Sequence, residues 1–119
     1  MKRDFDLIRQ ILLRLEEEPS AAARLFAQDF EQWQPETVNY HIWLLMQSGL
    51  IVGVCNHDYP RNGFMCYGIC LTWQGQEFLA EVRDDARWRK IRTVLAEKSL
   101  DLSLDAIKAA AAWVLKSMF

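Results

Sequence analysis

Apolar positions first fall into a regular stripe between Asp4 and about Glu17. Phe5, Ile8, Leu12 and Leu15 recur there at three- and four-residue steps, and Leu7, Ile11 and Leu13 widen the stripe. That period predicts an amphipathic helix. Asp4 and Asp6 suit its positive N-terminal end, and Pro19-Ser20 stops it. Residues 21–34 carry no clear period. Ala21 to Ala27 would suit a short helix, while Leu25-Phe26 and Phe30 would suit extended backbone, and an extended or irregular connection is expected. Pro35 opens a second helix, where its missing N–H has no partner to lose. Within Pro35–Ser48, Val38, Ile42 and Leu45 share one face and are assigned to the core. Trp43 is rotated about 100° from Ile42 and is not. Gly49 supplies a left-handed stop.

Leu50 to Asn56 reads as a strand rich in β-branched residues. Turn formers crowd the stretch from Asn56 to Gly63, which ends in an Asn-Gly pair. Met65, Tyr67, Ile69 and Leu71 then alternate with Cys66, Gly68 and Cys70 on a returning strand, which predicts a hairpin. Thr72 is the expected N-cap of a helix through about Asp84, with Phe78, Leu79 and Val82 inward. Asp84-Asp85 interrupts that stripe, and Trp88, Ile91 and Leu95 resume it on a further helical segment. Ser103 caps a last helix whose Leu104, Ile107, Ala111, Val114 and Met118 form one apolar face. The expectation is an α+β fold in a single domain over 1–119, with a core over about 1–84 and a helical extension over about 85–119.

Composition narrows the function classes. Of 119 residues 51% are hydrophobic and 25% charged, which is globular rather than disordered. A formal net charge of −2 gives no global basic field, so a nucleic-acid partner would need a local patch. No apolar run approaches a membrane span, and Met1-Lys2-Arg3-Asp4 leads into no signal-peptide core. Cys55, Cys66 and Cys70 are an odd set in a chain large enough to stand without staples, so reduced thiols and a cytoplasmic location are expected.

The order helix, short connection, helix ending in Gly-Leu-Ile, hairpin and helix resembles a winged helix-turn-helix. Thr37-Val38-Asn39-Tyr40-His41-Ile42-Trp43-Leu44-Leu45 through Ser48-Gly49-Leu50-Ile51 resembles the recognition helix and first wing strand of small bacterial winged-helix repressors. Leu71-Thr72-Trp73-Gln74-Gly75-Gln76-Glu77-Phe78-Leu79 is similar to their Leu-Thr-x-x-Gly-x-x-Phe-Leu entry into the helix after the wing. Nearly the whole chain also resembles the bacterial and phage family known as domain of unknown function 2513. That likeness is carried in order by residues 2–9, Tyr40-His41, Gly49-Leu50-Ile51, Leu71-Thr72-Trp73 with Gly75 and Phe78-Leu79, Arg83-Asp84-Asp85 with Trp88, and Leu102-Ser103-Leu104-Asp105. The resemblance implies a winged helix-turn-helix core with a β-hairpin wing and a C-terminal helical extension, in a mobile-element setting. It brings no catalytic residue or ligand with it.

A helix that reads a major groove presents polar side chains to bases, flanked by cations on phosphates. The outward candidates are Thr37, Asn39, Tyr40, Trp43 and Gln47, with Asn39 and Gln47 suited to adenine edges and Tyr40 to a phosphate. Arg61 would reach a phosphate from the wing. No Lys or Arg occurs between Arg24 and Arg61, however, while Asp29, Glu31, Glu36 and Asp58 do. An exposed Trp43 beside Met46 suits a protein contact. Cations gather instead at Arg83, Arg87, Arg89, Lys90 and Arg92. Arg83, Arg87 and Lys90 share one helical face at i, i+4 and i+7, to grip phosphates or to pair with Glu81, Asp84 and Asp85 on a solvated surface.

Cys55, His57, Cys66 and Cys70 are zinc-ligand types, but Cys66 and Cys70 would stand about 13 Å apart along a strand, too far for one ion. Small buried wing residues are the expected role of the thiols. His41 is expected to be structural, bonded to a nearby carbonyl, and His57 solvated. No nucleophile–base spacing or phosphate-binding loop is present, so neither an enzyme nor a cofactor is expected. The leading expectation is a regulatory protein that binds double-stranded DNA through the helix at 36–48 and the wing at 56–66. The competing one is a protein-interaction module, such as a phage-borne modulator of a host system. Trp113 and Phe119 lie off the last helix's apolar face and point to a homodimer through that helix.

Overall fold

The computed structural model describes residues 1–56, 65–98 and 102–117. These form five α-helices, one 3₁₀ turn and one antiparallel sheet, an α+β arrangement in two compact units, Met1–Gln76 and Glu77–Phe119.

In the first unit, α1 (Phe5–Glu17) starts at Asp4, whose Oδ1 accepts from the backbone N–H groups of Asp6 and Leu7 at 2.9 and 3.2 Å. Those are two of the donors that a helix start leaves without partners. Phe5, Leu7, Ile8, Ile11, Leu12 and Leu15 are buried, and so is Arg9, which the hydropathy pattern places outside. The connection over residues 21–34 is irregular, as expected: β1 (Leu25–Phe26) is followed by a single 3₁₀ turn over Ala27–Asp29. There Asp29 Oδ2 accepts from the Phe26 N–H at 2.8 Å.

Next, α2 (Pro35–Gln47) buries Val38, Ile42 and Leu45 and leaves Trp43 half-buried. It ends in a Schellman motif: Leu50 N donates to Leu45 O (3.1 Å), Gly49 N donates to Met46 O (3.2 Å), and Gly49 takes φ 78°. β2 (Ile51–Asn56) and β3 (Met65–Leu71) pair antiparallel, and β1 adds to the other side of β3, giving the order β1-β3-β2. The ladder shifts register between Val52 and Gly53, so simple alternation breaks along β3. The inward positions are Cys66 and Gly68, and Leu15 packs against Gly68.

The start of α3 (Trp73–Val82) is tied to the turn after α2. Thr72 N donates to Leu50 O at 3.0 Å, Thr72 Oγ1 donates to Gly49 O, and the same hydroxyl accepts from Gly75 N at 3.0 Å. The Gly-Leu-Ile and Leu-Thr-x-x-Gly motifs are therefore the two halves of one junction.

In the second unit, Phe78, Leu79 and Val82 are buried. Asp84 caps α4 (Asp85–Glu97) by accepting from Arg87 N at 2.7 Å. Ser103 caps α5 (Leu104–Ser117) by accepting from Ala106 N at 3.1 Å. The two helices pack together, burying Trp88, Ile91 and Leu95 on one and Ile107, Ala110, Ala111 and Val114 on the other. Leu104 is half-buried, and Met118 and Phe119 lie outside the described residues.

A candidate interaction surface on α2

The inner side of α2 is fixed by a polar network as well as by its apolar stripe. His41 is completely buried. Its Nδ1 donates to Thr37 O at 2.8 Å, and its Nε2 accepts from Asp4 N at 2.8 Å. The Asp4 amide can only donate, so Nε2 must be the unprotonated nitrogen and the ring is a neutral Nδ1–H tautomer. The carbonyl bond expected for His41 is present, and the second bond pins α2 to the start of α1. Asp4 Oδ2 in turn accepts from Trp33 Nε1 at 3.0 Å. Burial alone would raise the Asp4 carboxyl. The bonds from Trp33, Leu7 and Asp6 outweigh it and hold the group below its ordinary value of 3.8.

Asn39 is a correction to the sequence reading. Its Oδ1 accepts from Cys66 N at 3.0 Å, so the amide faces β3 and cannot offer both its atoms to an adenine edge. Thr37 is half-buried and its carbonyl is taken by His41. Tyr40 and Trp43 lie together, centroids 5.8 Å apart and planes tilted by 34°, and Tyr40 meets His41 edge-on at 5.9 Å. Both aromatic rings are half-buried, and Glu36 and Gln47 are exposed at the two ends of the helix. The outward surface of α2 is thus an aromatic pair between a carboxylate and an amide. Arg61 and His57 lie outside the described residues.

The basic face is also corrected. Arg83 is not helical, because α3 ends at Val82 and α4 begins at Asp85, so the i, i+4, i+7 spacing with Arg87 and Lys90 is broken. Asp84 favours the cap over continuing a helix. Arg87 is half-buried and donates to Ala80 O at 3.3 Å. Lys90 is exposed beside Arg89, Thr93, Glu97, Trp113 and Val114, which line a groove of about 560 Å³ along α4 and α5. Trp113 is 54% exposed, with Lys98 Nζ 5.9 Å from its ring centroid.

The thiols need a third correction. Cys55 and Cys66 stand opposite each other on β2 and β3 and are joined by a disulfide, leaving Cys70 as the free cysteine. Cys66 is fully buried, while Cys55 and Cys70 are half-buried. An odd count hides a pair, and the register that makes one is set by the hairpin rather than by local spacing. Sequence reasoning also missed the Asp4–Trp33–His41 network. Its members are 29 and 37 residues apart, and no local pattern links them.

Comparison with known proteins places the chain in one family. The family model described as "Hypothetical protein (DUF2513)" matches residues 2–101. A protein of Haemophilus influenzae (strain Rd), named "Uncharacterized protein", is 44% identical over 119 residues, spanning 99% of this chain and 98% of that one. No solved structure matches. Among the described residues, no helix is long and apolar enough to cross a membrane. The match over residues 2–101 and the full-length relative show that the chain belongs to the DUF2513 family.

Proposed function

We propose that this protein is a winged-helix regulatory module whose α2 surface binds a protein partner. The order α1, β1, 3₁₀ turn, α2, β2, β3 and the sheet order β1-β3-β2 support the winged-helix reading, with the single 3₁₀ turn standing where a second helix would be. Fold alone does not choose the ligand. The observation that carries the protein reading is the Tyr40–Trp43 pair on a helix with no cation between Arg24 and Arg61. Aromatic anchors dominate protein interfaces, whereas DNA affinity draws heavily on phosphate neutralisation. Trp113 and Leu115, 54% and 45% exposed on α5, favour self-association through that helix as part of the same reading.

Double-stranded DNA is the second reading, favoured by the placement of α2 directly before the β2–β3 pair. The two separate in one titration of the protein into a random-sequence duplex pool across a salt series. The protein reading expects no binding tighter than about 10⁻⁴ M at physiological salt. Tighter binding that falls with salt, and that Trp43→Ala leaves unchanged, would replace it with the DNA reading.

A further inference from the structure

We propose that Cys55–Cys66 is a thiol–disulfide exchange site, at which a dithiol reductant opens the covalent clasp between β2 and β3 and loosens the pair from α2. The Cα atoms are 4.1 Å apart, the close spacing of a non-hydrogen-bonded antiparallel pair. In such a pair neither residue's N–H bonds to its opposite. That leaves the Cys66 N–H for Asn39 Oδ1 at 3.0 Å. The other sulfur, Cys55 Sγ, lies 3.6 Å from Met46 Sδ. The bond therefore sits where two residues of α2 touch the two strands.

The two cysteines differ in exposure. Cys66 is fully buried and Cys55 half-buried, and exchange depends on which sulfur a thiolate can reach. A thiolate of the reductant attacks Cys55 Sγ. The Sγ–Sγ bond breaks, its electron pair leaves on Cys66 Sγ, and that sulfur takes a proton from solvent. The reductant's second thiol, deprotonated, then attacks the mixed disulfide and releases Cys55 as a thiolate. Two electrons have passed, and the dithiol has become a disulfide. Cys70 stays outside the reaction: it is opposite Val52, about 13 Å along the strand from Cys66.

Opening the bond removes a cross-link between residues 11 apart but none of the ladder between β2 and β3. A loop of that length makes chain opening roughly 100-fold harder when closed, so the reduced pair should open roughly 10- to 100-fold more often while the chain stays folded.

The test equilibrates the full chain in glutathione buffers of graded ratio and in dithiothreitol, counts alkylated cysteines by mass, and follows amide exchange over 51–56 and 65–71. One alkylated cysteine is expected at the oxidising end and three at the reducing end, with amide exchange rising 10- to 100-fold on reduction. Glutathione should add to Cys55 in Cys66→Ala at least about tenfold faster than to Cys66 in Cys55→Ala. Three alkylated cysteines at every ratio, or a bond that the dithiol breaks only after denaturation, would overturn the proposal. So would reversible reduction that leaves amide exchange unchanged, or faster capture at Cys66.

Discussion

Replacing Gly75 with Ala should destabilise the protein, against the ordinary preference of a helix. Gly75 lies inside α3, where Gly→Ala usually gains about 1 kcal/mol of helix propensity. Here a Cβ would lie 2.0 Å from Leu50 O and 3.0 Å from Leu50 C, with ordinary contact starting at 3.4 Å. Roughly 1.4 Å of movement is needed, far beyond what dispersion contacts absorb. The carbonyl that must move is held by Thr72 N at 3.0 Å. Losing that bond costs about 1 kcal/mol, and the overpacking itself costs about 1–3. Setting the propensity gain against these leaves a net loss of about 1–3 kcal/mol, or several degrees in melting temperature. Five tryptophans make urea unfolding readable by fluorescence, and an unchanged slope would assign the shift to stability. A variant about 1 kcal/mol more stable than the parent would refute the α3 junction as described.

Leu45→Ala should cost about 2–5 kcal/mol in the same assay, since Leu45 is 2% exposed in the core; a loss under half a kcal/mol would mean that α2 is turned the wrong way. Asn39→Ala should cost about 1–3 kcal/mol, because it leaves the Cys66 N–H without its acceptor, and an unchanged midpoint would return Asn39 to the surface. Asp4, held below 3.8, contributes stability that is present above that value and lost as pH falls through the lower folded one. The advantage of the parent over Asp4→Asn should therefore shrink below about pH 4, and a pH-independent difference would refute the ionic role. Glu81 behaves oppositely: burial first, then Glu77, raise it above 4.5 despite Lys108. Glu81→Gln should stabilise the chain increasingly as pH rises through that raised value and do nothing in acid, as paired melting curves at the two ends would show. Sedimentation at micromolar concentration should find twice 13.9 kDa if α5 pairs with its copy, and a 13.9 kDa species unmoved by Trp113→Ser would dismiss the dimer.

The elements were legible where one periodicity ruled. All five helices and the β2–β3 pair follow from apolar spacing and caps, and Asp4, Thr72 and Ser103 make the N-terminal bonds that their types suggest. Side-chain orientation was not legible wherever a polar group met a distant backbone. Asn39 has an outward-reading composition, yet the free N–H of Cys66 draws it inward. Arg83 counts correctly on a continuous helix, but the cap at Asp84 ends that continuity. The disulfide depends on the β2–β3 register, and the pairing along β3 is itself shifted at Val52/Gly53.

These contacts bound how α2 can work. Val38, Ile42 and Leu45 serve the core, His41 is spent on Asp4, and Asn39 and Met46 are engaged by Cys66 and Cys55. Glu36 and Gln47 are exposed at the two ends of α2, with half-buried Tyr40 and Trp43 between them. No Lys or Arg lies on α2 to neutralise a phosphate. The proposed protein partner needs no such cation, and the tilted Tyr40–Trp43 pair suits an aromatic anchor for it. The Asn39 and Met46 contacts lie on the same helix as that pair, so a change at the Cys55–Cys66 bond acts on the scaffold that presents it.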